Sequence, residues 1–394
     1  MSSQNGFPQE LLKHPPAARL NYFKAFTMAH PLLKEAYEKL RGIIREPAGT
    51  SLVFVTGPAG VGKTTLRFRL VQKLTEEALT SLAATPGRIL VVGTEAIGPD
   101  SVNFNWKDYY RRLLFALDEP LVDSKVKPDG WVNPRPRKFS SLLPNEVAAE
   151  LRQSVEQALR HRQPLAVVID EAQHISRIAS GRKLQDQLDC IKSLANLTQT
   201  VHVLVGSYEL LSFRNLSGQL SRRSIDVHFR RYRADSASDV QAFLNVIHTF
   251  ERHLPLKKES NLTKYWDYLY ERTNGCVGVL KDWLSRTLAS ILERGKESVT
   301  LKDLAEQALS VSQCEKMITE ALEGESILQE KKEPSAWLRK LLGIETTLCT
   351  TADATSQRNA EGSPKKPKAR VGVPNPKRYP IGKRNDVTES ACNL

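Results

Sequence analysis

Gly57-Pro58-Ala59-Gly60-Val61-Gly62-Lys63-Thr64 follows the spacing G-x-x-x-x-G-K-[ST] in full, with Thr65 next. Glycines at these positions let backbone N–H groups close around phosphate oxygens, and a helix beginning at the lysine adds its N-terminal dipole. In that arrangement Lys63 reaches the β/γ-phosphates and the Thr64 hydroxyl ligates the accompanying Mg²⁺. A second element supplies acid: Leu165-Ala166-Val167-Val168-Ile169-Asp170-Glu171 is an apolar run that ends in two carboxylates. An acid at the carboxyl end of a buried strand is costly unless it meets a cation, which suits Asp170 to Mg²⁺. Glu171, one residue on and pointing elsewhere, is placed to polarise an attacking water as general base.

Two further pieces would complete a nucleotide hydrolase. The run VHVLVG (201–206) ends at Ser207, which either orients the water or γ-phosphate or simply opens a loop. Arg222 and Arg223 precede the last apolar run. They are either a solvated basic turn or a pair that projects into a neighbouring subunit's γ-phosphate, as an arginine finger does.

Positioning these groups requires strands that alternate with helices. SLVFVT (51–56), RILVVGT (88–94), PLAVVID (164–170), VHVLVG and IDVHFRRY (225–232) read as strands. Helical spacing occupies 31–45, 63–79, 105–117, 145–160 and 183–197, so the pattern predicts an α/β fold with a parallel sheet sandwiched by helices. Beyond Ala234 the strands stop, and 236–250, 262–272, 278–293 and 301–322 carry helical periodicity. Ser236 with Asp239 and Thr300 with Asp303 resemble capping pairs. The expected division is a lead-in with an amphipathic helix (1–50), an α/β core (51–234), a helical lid (235–323) and a polar, basic, largely disordered tail (324–394).

The chain has 394 residues, 40% of them apolar, and a formal net charge of +13. The charge is unevenly placed: residues 363–384 hold eight Lys or Arg and no acid, spaced by prolines. A basic chain points to nucleic acid or an anionic surface. No run approaches 18 apolar residues, so no membrane span is expected, and the N-terminus lacks a secretory h-region. Five widely spaced cysteines argue against a disulfide framework and against CxxC-type zinc sites, which fits a reduced, cytoplasmic compartment.

The lead-in HPPAARLNYFKAFTMAHPLLKEAYEKL, the loop GPAGVGKTT, VVIDEAQHI, VHVLVGSYELL followed by SGQLSRRSIDVHF, and NGCVGVLKDWL resemble the TnsC/TniB family of AAA+ transposition ATPases. These segments lie in order over about residues 14–295. The resemblance implies an AAA+ P-loop NTPase core with a C-terminal helical lid. It also implies a cytoplasmic regulator that binds ATP and Mg²⁺, assembles with itself as rings or filaments around duplex DNA, and passes the target site to a transposase. A TniQ-type targeting protein is the implied partner. Lys63, Thr64, Asp170 and Glu171 carry over residue by residue, with Ser207 and Arg222/Arg223 after them. Many AAA+ proteins place an arginine in the lid after a glycine; here GVLKDW offers Lys281, a point charge without the guanidinium fork. Another AAA+ loader or initiator, such as a helicase loader, is the nearest alternative. A small-molecule P-loop kinase is the more distant one, and the Asp-Glu dyad and separate helical region argue against it.

No helix-turn-helix or zinc finger stands out, so contact with duplex DNA would be to its backbone and independent of sequence. Candidate contacts are Lys107, Arg111, Arg112, Arg135, Arg137 and Lys138, with Arg182 and Lys183 after the acidic strand. The aromatic residues interleaved at 106–110 read as helix core. Val371, Val373, Tyr379 and Ile381 within the basic tail favour a peptide that docks transposase over a purely electrostatic DNA arm or an inert end.

Overall fold

Uninterrupted aliphatic runs suit strands buried on both faces, and such strands pair in parallel beneath helices. In the computed structural model they form β1 (Leu52–Thr56), β2 (Val91–Glu95), β3 (Ala166–Asp170), β4 (Val201–Gly206) and β5 (Ser224–His228). The structure describes residues 6–77, 87–98, 104–122, 144–176, 182–214 and 222–328, with 85, 339 and 341–343 as isolated positions. The sheet order is β2-β3-β4-β1-β5 and every pairing is parallel, so the expected α/β architecture is present. Thr56 at the end of β1 lies opposite Gly206 on β4 and His228 on β5. This register gathers the carboxyl ends of β1, β3 and β4 at one edge, the usual ligand edge of such sheets.

Side-chain alternation along each strand divides the core between two faces. Val53 and Val55 join one apolar cluster, Leu52 and Phe54 the other. The first face is covered by α2 (Pro31–Arg45) and α3 (Lys63–Glu77), whose Leu40, Ile44, Leu66, Leu70 and Leu74 are buried there. Ahead of them lies α1 (Pro16–Ala25), a helix outside the spacing at 31–45. Pro16 sits at its first turn, where the missing N–H is no loss. Phe23 of α1 is fully buried in the same cluster. The second face is covered by α4 (Trp106–Ala116), α5 (Pro144–Arg162) and α6 (Arg182–Thr198).

After β5 the described chain is helical: α7 (Ala237–His253), α8 (Trp266–Thr273), α9 (Val277–Glu293), α10 (Leu301–Glu306) and α11 (Val311–Leu328). The expected strand to residue 232 stops at His228: Phe229 N–H makes a last bond to Thr56 O, where β1 ends, and Tyr232 N–H turns to Gly275 O. The expected helix over 301–322 is two helices. Thr300 and Asp303 close a capping box at α10. Ser310 and Gln313 exchange a similar pair of bonds ahead of α11, at 2.9 and 3.3 Å. α11 also runs past residue 323 to Leu328. There Glu325 meets Arg231, and Gly324 lies so close to Tyr208 that a Cβ would stand 2.0 Å from its ring. The apolar side chains of α7 and α9, including Phe243, Trp283 and Leu284, are continuous with the first face of the sheet. Residues 1–330 form one compact unit and 331–394 a second. The basic stretch 363–384 lies outside the described residues, and no helix among the described residues is long and apolar enough to cross a membrane.

Two histidines are enclosed in this core. His202 on β4 donates Nδ1–H to Thr200 O at 3.1 Å, and His30 pairs with the Tyr232 hydroxyl at 3.1 Å. Burial holds each at about 4, below the ordinary imidazole value of 6.5. The unfolded chain therefore binds protons between pH 6.5 and 4 that the folded chain refuses, so stability is full above pH 6.5 and falls on acidification. The loss approaches about 1.4 kcal/mol per pH unit per histidine within that window. Denaturant unfolding measured from pH 7 to pH 4 should show this decline, and a flat profile would contradict it.

Candidate nucleotide site

The loop between β1 and α3 has the backbone its glycines permit. Gly60 has φ of +73° and Gly62 +111°, a region closed to most side chains. A Cβ on Gly57 would lie 2.2 Å from Phe229 O, so the loop is pressed against the strand-end turn after β5. Lys63 begins α3, and its Nζ donates to Gly57 O and Pro58 O, both at 2.9 Å. Burial lowers its pKa, and among the neighbouring charges Glu171 opposes that shift most strongly, ahead of Cys276 and Asp170.

Lys63, Thr64, Thr65, Glu171 and Ser207 line one cavity of about 910 Å³, together with Ala59, Gly60 and Gly62. Gly57 and Pro58 line a neighbouring cavity of about 340 Å³, and Val61 is buried in the core. The fit of a phosphate group rests on two observations. Gly60 and Gly62 bring bare backbone to the cavity wall, and the buried Ser207 Oγ at its rim lacks any hydrogen-bond partner among the described residues. A buried hydroxyl left unpaired is costly unless a ligand completes it.

Asp170 is 2% exposed and stands at the end of β3. The cation it meets is Arg67, one turn beyond Lys63 on α3, with Nε 3.5 Å from Asp170 Oδ2. Arg67 also donates to Thr94 O on β2 at 3.1 Å, so it ties three elements beneath the loop. Sequence reasoning missed Arg67, although its place four residues after Lys63 puts it on the same helical face. Glu171 adopts φ of +52°, a left-handed conformation uncommon for this residue type, and its N–H donates to Asp170 Oδ1 at 3.0 Å. Its carboxylate accepts a hydrogen bond from the Gln173 side chain, another residue not selected beforehand.

The lid reaches the loop through α9. Val279 N–H donates to Gly60 O at 3.2 Å, and a Cβ on Gly278 would lie 2.5 Å from that oxygen. The helical position pressed against Gly60 therefore has no room for a side chain. Lys281 lines the cavity, but its ammonium donates to the carbonyls of Lys24 and Phe26 in the lead-in, and burial lowers its pKa. Lys281, which stands where many AAA+ proteins place a lid arginine, is thus held on the lead-in. A small cleft beside Gly62 is lined by Thr27, Met28 and His30 from that lead-in, a contribution the motif spacing gave no sign of.

Arg222 and Arg223 stand elsewhere. Arg223 O accepts from Ser51 N–H at 3.0 Å, at the start of β1, while the phosphate loop leaves its end. A five-residue strand at ~3.3 Å per residue separates the two by about 17 Å, so neither arginine reaches the loop of its own chain. Both are exposed, and Arg223 donates to Asn196 Oδ1 at 3.1 Å.

Of the basic residues considered for DNA, Lys107, Arg111 and Arg112 lie on α4, where Lys107 is exposed and Arg112 pairs with Asp108 at 2.7 Å. Tyr109 and Tyr110 of the same helix are buried. Arg135, Arg137 and Lys138 lie outside the described residues. Arg182 and Lys183 open α6, with side chains outside the described set.

Residues 45–213 match the protein family described as "AAA domain". A search of curated proteins found no match. Among solved structures, the chain is similar to the ORC2 protein of Aeropyrum pernix in its ADPNP-ADP complexes. The identity there is 13% over 74% of this chain and 71% of that one, with a TM-score of 0.48. A Walker-type ATPase of Pyrococcus abyssi gives 15% identity over 84% and 89%, with a TM-score of 0.41. Domain III of the replication initiation protein DnaA from Thermotoga maritima gives 15% over 76% and 97%, with a TM-score of 0.37. The residues matched to the AAA domain, 45–213, contain the phosphate loop, the Asp170-Glu171 pair and Ser207.

Proposed function

We propose that this protein is an ATP-hydrolysing AAA+ switch that assembles with itself on duplex DNA and regulates transposition. The observation that carries the reading is the division of the catalytic groups within one chain. Lys63, Thr64, Glu171 and Ser207 share a cavity, whereas Arg222 and Arg223 stand at the opposite end of β1. A pair of arginines in that place serves a phosphate only across a boundary between subunits, which makes hydrolysis a property of the assembly.

Bound Mg²⁺ would neutralise phosphate charge; the Thr64 hydroxyl would hold it in the cavity, and Asp170, already paired with Arg67, would act on it through water. Lys63 exchanges its loop carbonyls for phosphate oxygens. Glu171 takes a proton from the attacking water, and the Ser207 hydroxyl orients that water or the γ-phosphate. Thr27, Met28 and His30 of the lead-in and Gly278 and Lys281 of the lid line the cleft beside Gly62, where they would border a bound nucleotide.

The role in transposition is supported by the ordered resemblance of the lead-in, the acidic strand, the VGSYELL segment and the lid to TnsC/TniB proteins. On that reading duplex DNA is held by its backbone, a TniQ-type protein selects the site, and the basic tail docks transposase. Electron microscopy of the protein with duplex DNA and a non-hydrolysable ATP analogue tests the assembly. Rings or filaments on DNA that require the analogue are expected, and monomers indifferent to both ligands would refute it.

A further inference from the structure

The turn after β3 contains a buried amide to which the mechanism above gives no role. Gln173 is 5% exposed. Its Nε2 donates to Glu171 Oε2, and its Oε1 accepts from the Ser207 backbone N–H at 3.2 Å. The orientation of this amide follows from its partners. A backbone N–H only donates and an ionised carboxylate only accepts, so oxygen must face Ser207 and nitrogen must face Glu171. One planar side chain therefore bridges the end of β3, which carries the general base, and the end of β4, which carries the unpartnered Ser207 hydroxyl.

The neighbouring residue keeps the bridge open. Gly206 ends β4, and a Cβ there would stand 2.2 Å from Gln173 Oε1 and 2.9 Å from Leu210 Cδ1. No side chain fits at 206 while the amide occupies its place. Glu171, for its part, is held at its unusual φ by a bond at each end, its N–H to Asp170 and its carboxylate to Gln173.

We infer that Gln173 is a positioning residue that couples Ser207 to Glu171. A ligand contact at the Ser207 hydroxyl and the placement of the general base then behave as one unit. This inference rests on the hydrolysis proposed above, and Gln173 acts in it through Glu171.

The test compares steady-state ATP hydrolysis and equilibrium binding of a fluorescent ATP analogue in the full chain. The variants are Gln173→Ala, Gln173→Glu, Gly206→Ala and the double variant Gly206→Ala with Gln173→Ala. Misplacing a catalytic group by about 1 Å costs about 100-fold in rate, so Gln173→Ala should lower kcat by roughly that factor while nucleotide Kd stays within about twofold. Gln173→Glu, which is nearly isosteric, keeps the acceptor for Ser207 but sets a carboxylate against Glu171, and should lose kcat to a similar extent. Gly206→Ala displaces the amide and should reproduce the defect. In the Gln173→Ala background it should add little, because the amide it displaces is already gone and the remaining close contact is the flexible end of the Leu210 side chain. An unchanged kcat in the Gln173 variants would overturn the coupling. So would additive losses in the double variant, or a Kd that weakens in step with kcat. Wild-type turnover reads the underlying proposal separately: its absence would remove hydrolysis itself, and the coupling with it.

Discussion

Glu171→Gln is expected to slow ATP hydrolysis by about 100- to 10,000-fold while leaving ATP binding intact. The replacement keeps the side chain's shape and still offers a carbonyl oxygen to Gln173, so the turn after β3 has no reason to rearrange. It removes the carboxylate proposed to accept the water's proton. If ATP holds neighbouring subunits together, this variant should remain assembled on duplex DNA after the wild type has released it. Lys63→Ala is expected to do the reverse. Lys63 is the cation that spans the loop, and without it the cavity loses the charge that, on the proposed reading, would face the β- and γ-phosphates. Nucleotide binding and assembly should then fall together. Turnover assays and electron microscopy of the two variants on DNA read both effects, and equal assembly of wild type and both variants would exclude a nucleotide switch.

Arg231→Ala is expected to destabilise residues 1–330 by about 3–5 kcal/mol, the usual cost of leaving one member of a buried ion pair uncompensated. Arg231 Nε lies 2.9 Å from Glu325 Oε1, both side chains are about nine-tenths enclosed, and 94 residues separate them. The pair fastens α11 over the cavity beside Pro58, where Gly324 lets Tyr208 pack against the helix backbone. Arg231 also reaches the Tyr270 hydroxyl at 3.3 Å, so its loss is felt at α8 as well. Glu325→Ala should cost a similar amount. Replacing both residues together, Arg231→Met with Glu325→Leu, should recover most of the loss, since apolar side chains of similar volume carry no desolvation cost. Thermal unfolding of the three variants checks this. Two single variants as stable as wild type would mean that α11 is held by its apolar contacts alone.

How much of the site was legible depends on how far apart its parts lie along the chain. The phosphate loop and the Asp170-Glu171 pair are contiguous segments, each a strand running into a turn, and their residue types alone dictate backbone freedom, charge and metal affinity. The parallel sheet was equally legible, because uninterrupted aliphatic runs between amphipathic helices have few other stable arrangements. The lid's first cap at Ser236 and the box at Thr300 are local signals of the same kind.

What the chain order could not convey is which distant groups meet. Asp170 called for a cation, but only the packing of α3 against β3 shows that Arg67 answers it. Lys281 stands where many AAA+ proteins place a lid arginine, and the approach of α9 to Gly60, which Gly278 permits by lacking a side chain, sets its ammonium against the carbonyls of Lys24 and Phe26. Gln173 and Ser207 are 34 residues apart, and their bond exists because β3 and β4 are neighbours in register. The sequence by itself thus determined the chemistry available to this protein, since residue type and short-range spacing set charge, nucleophilicity and backbone freedom. The tertiary structure alone decided how those groups are paired, because the strand order and the seating of the lid set every distance between residues far apart in the chain.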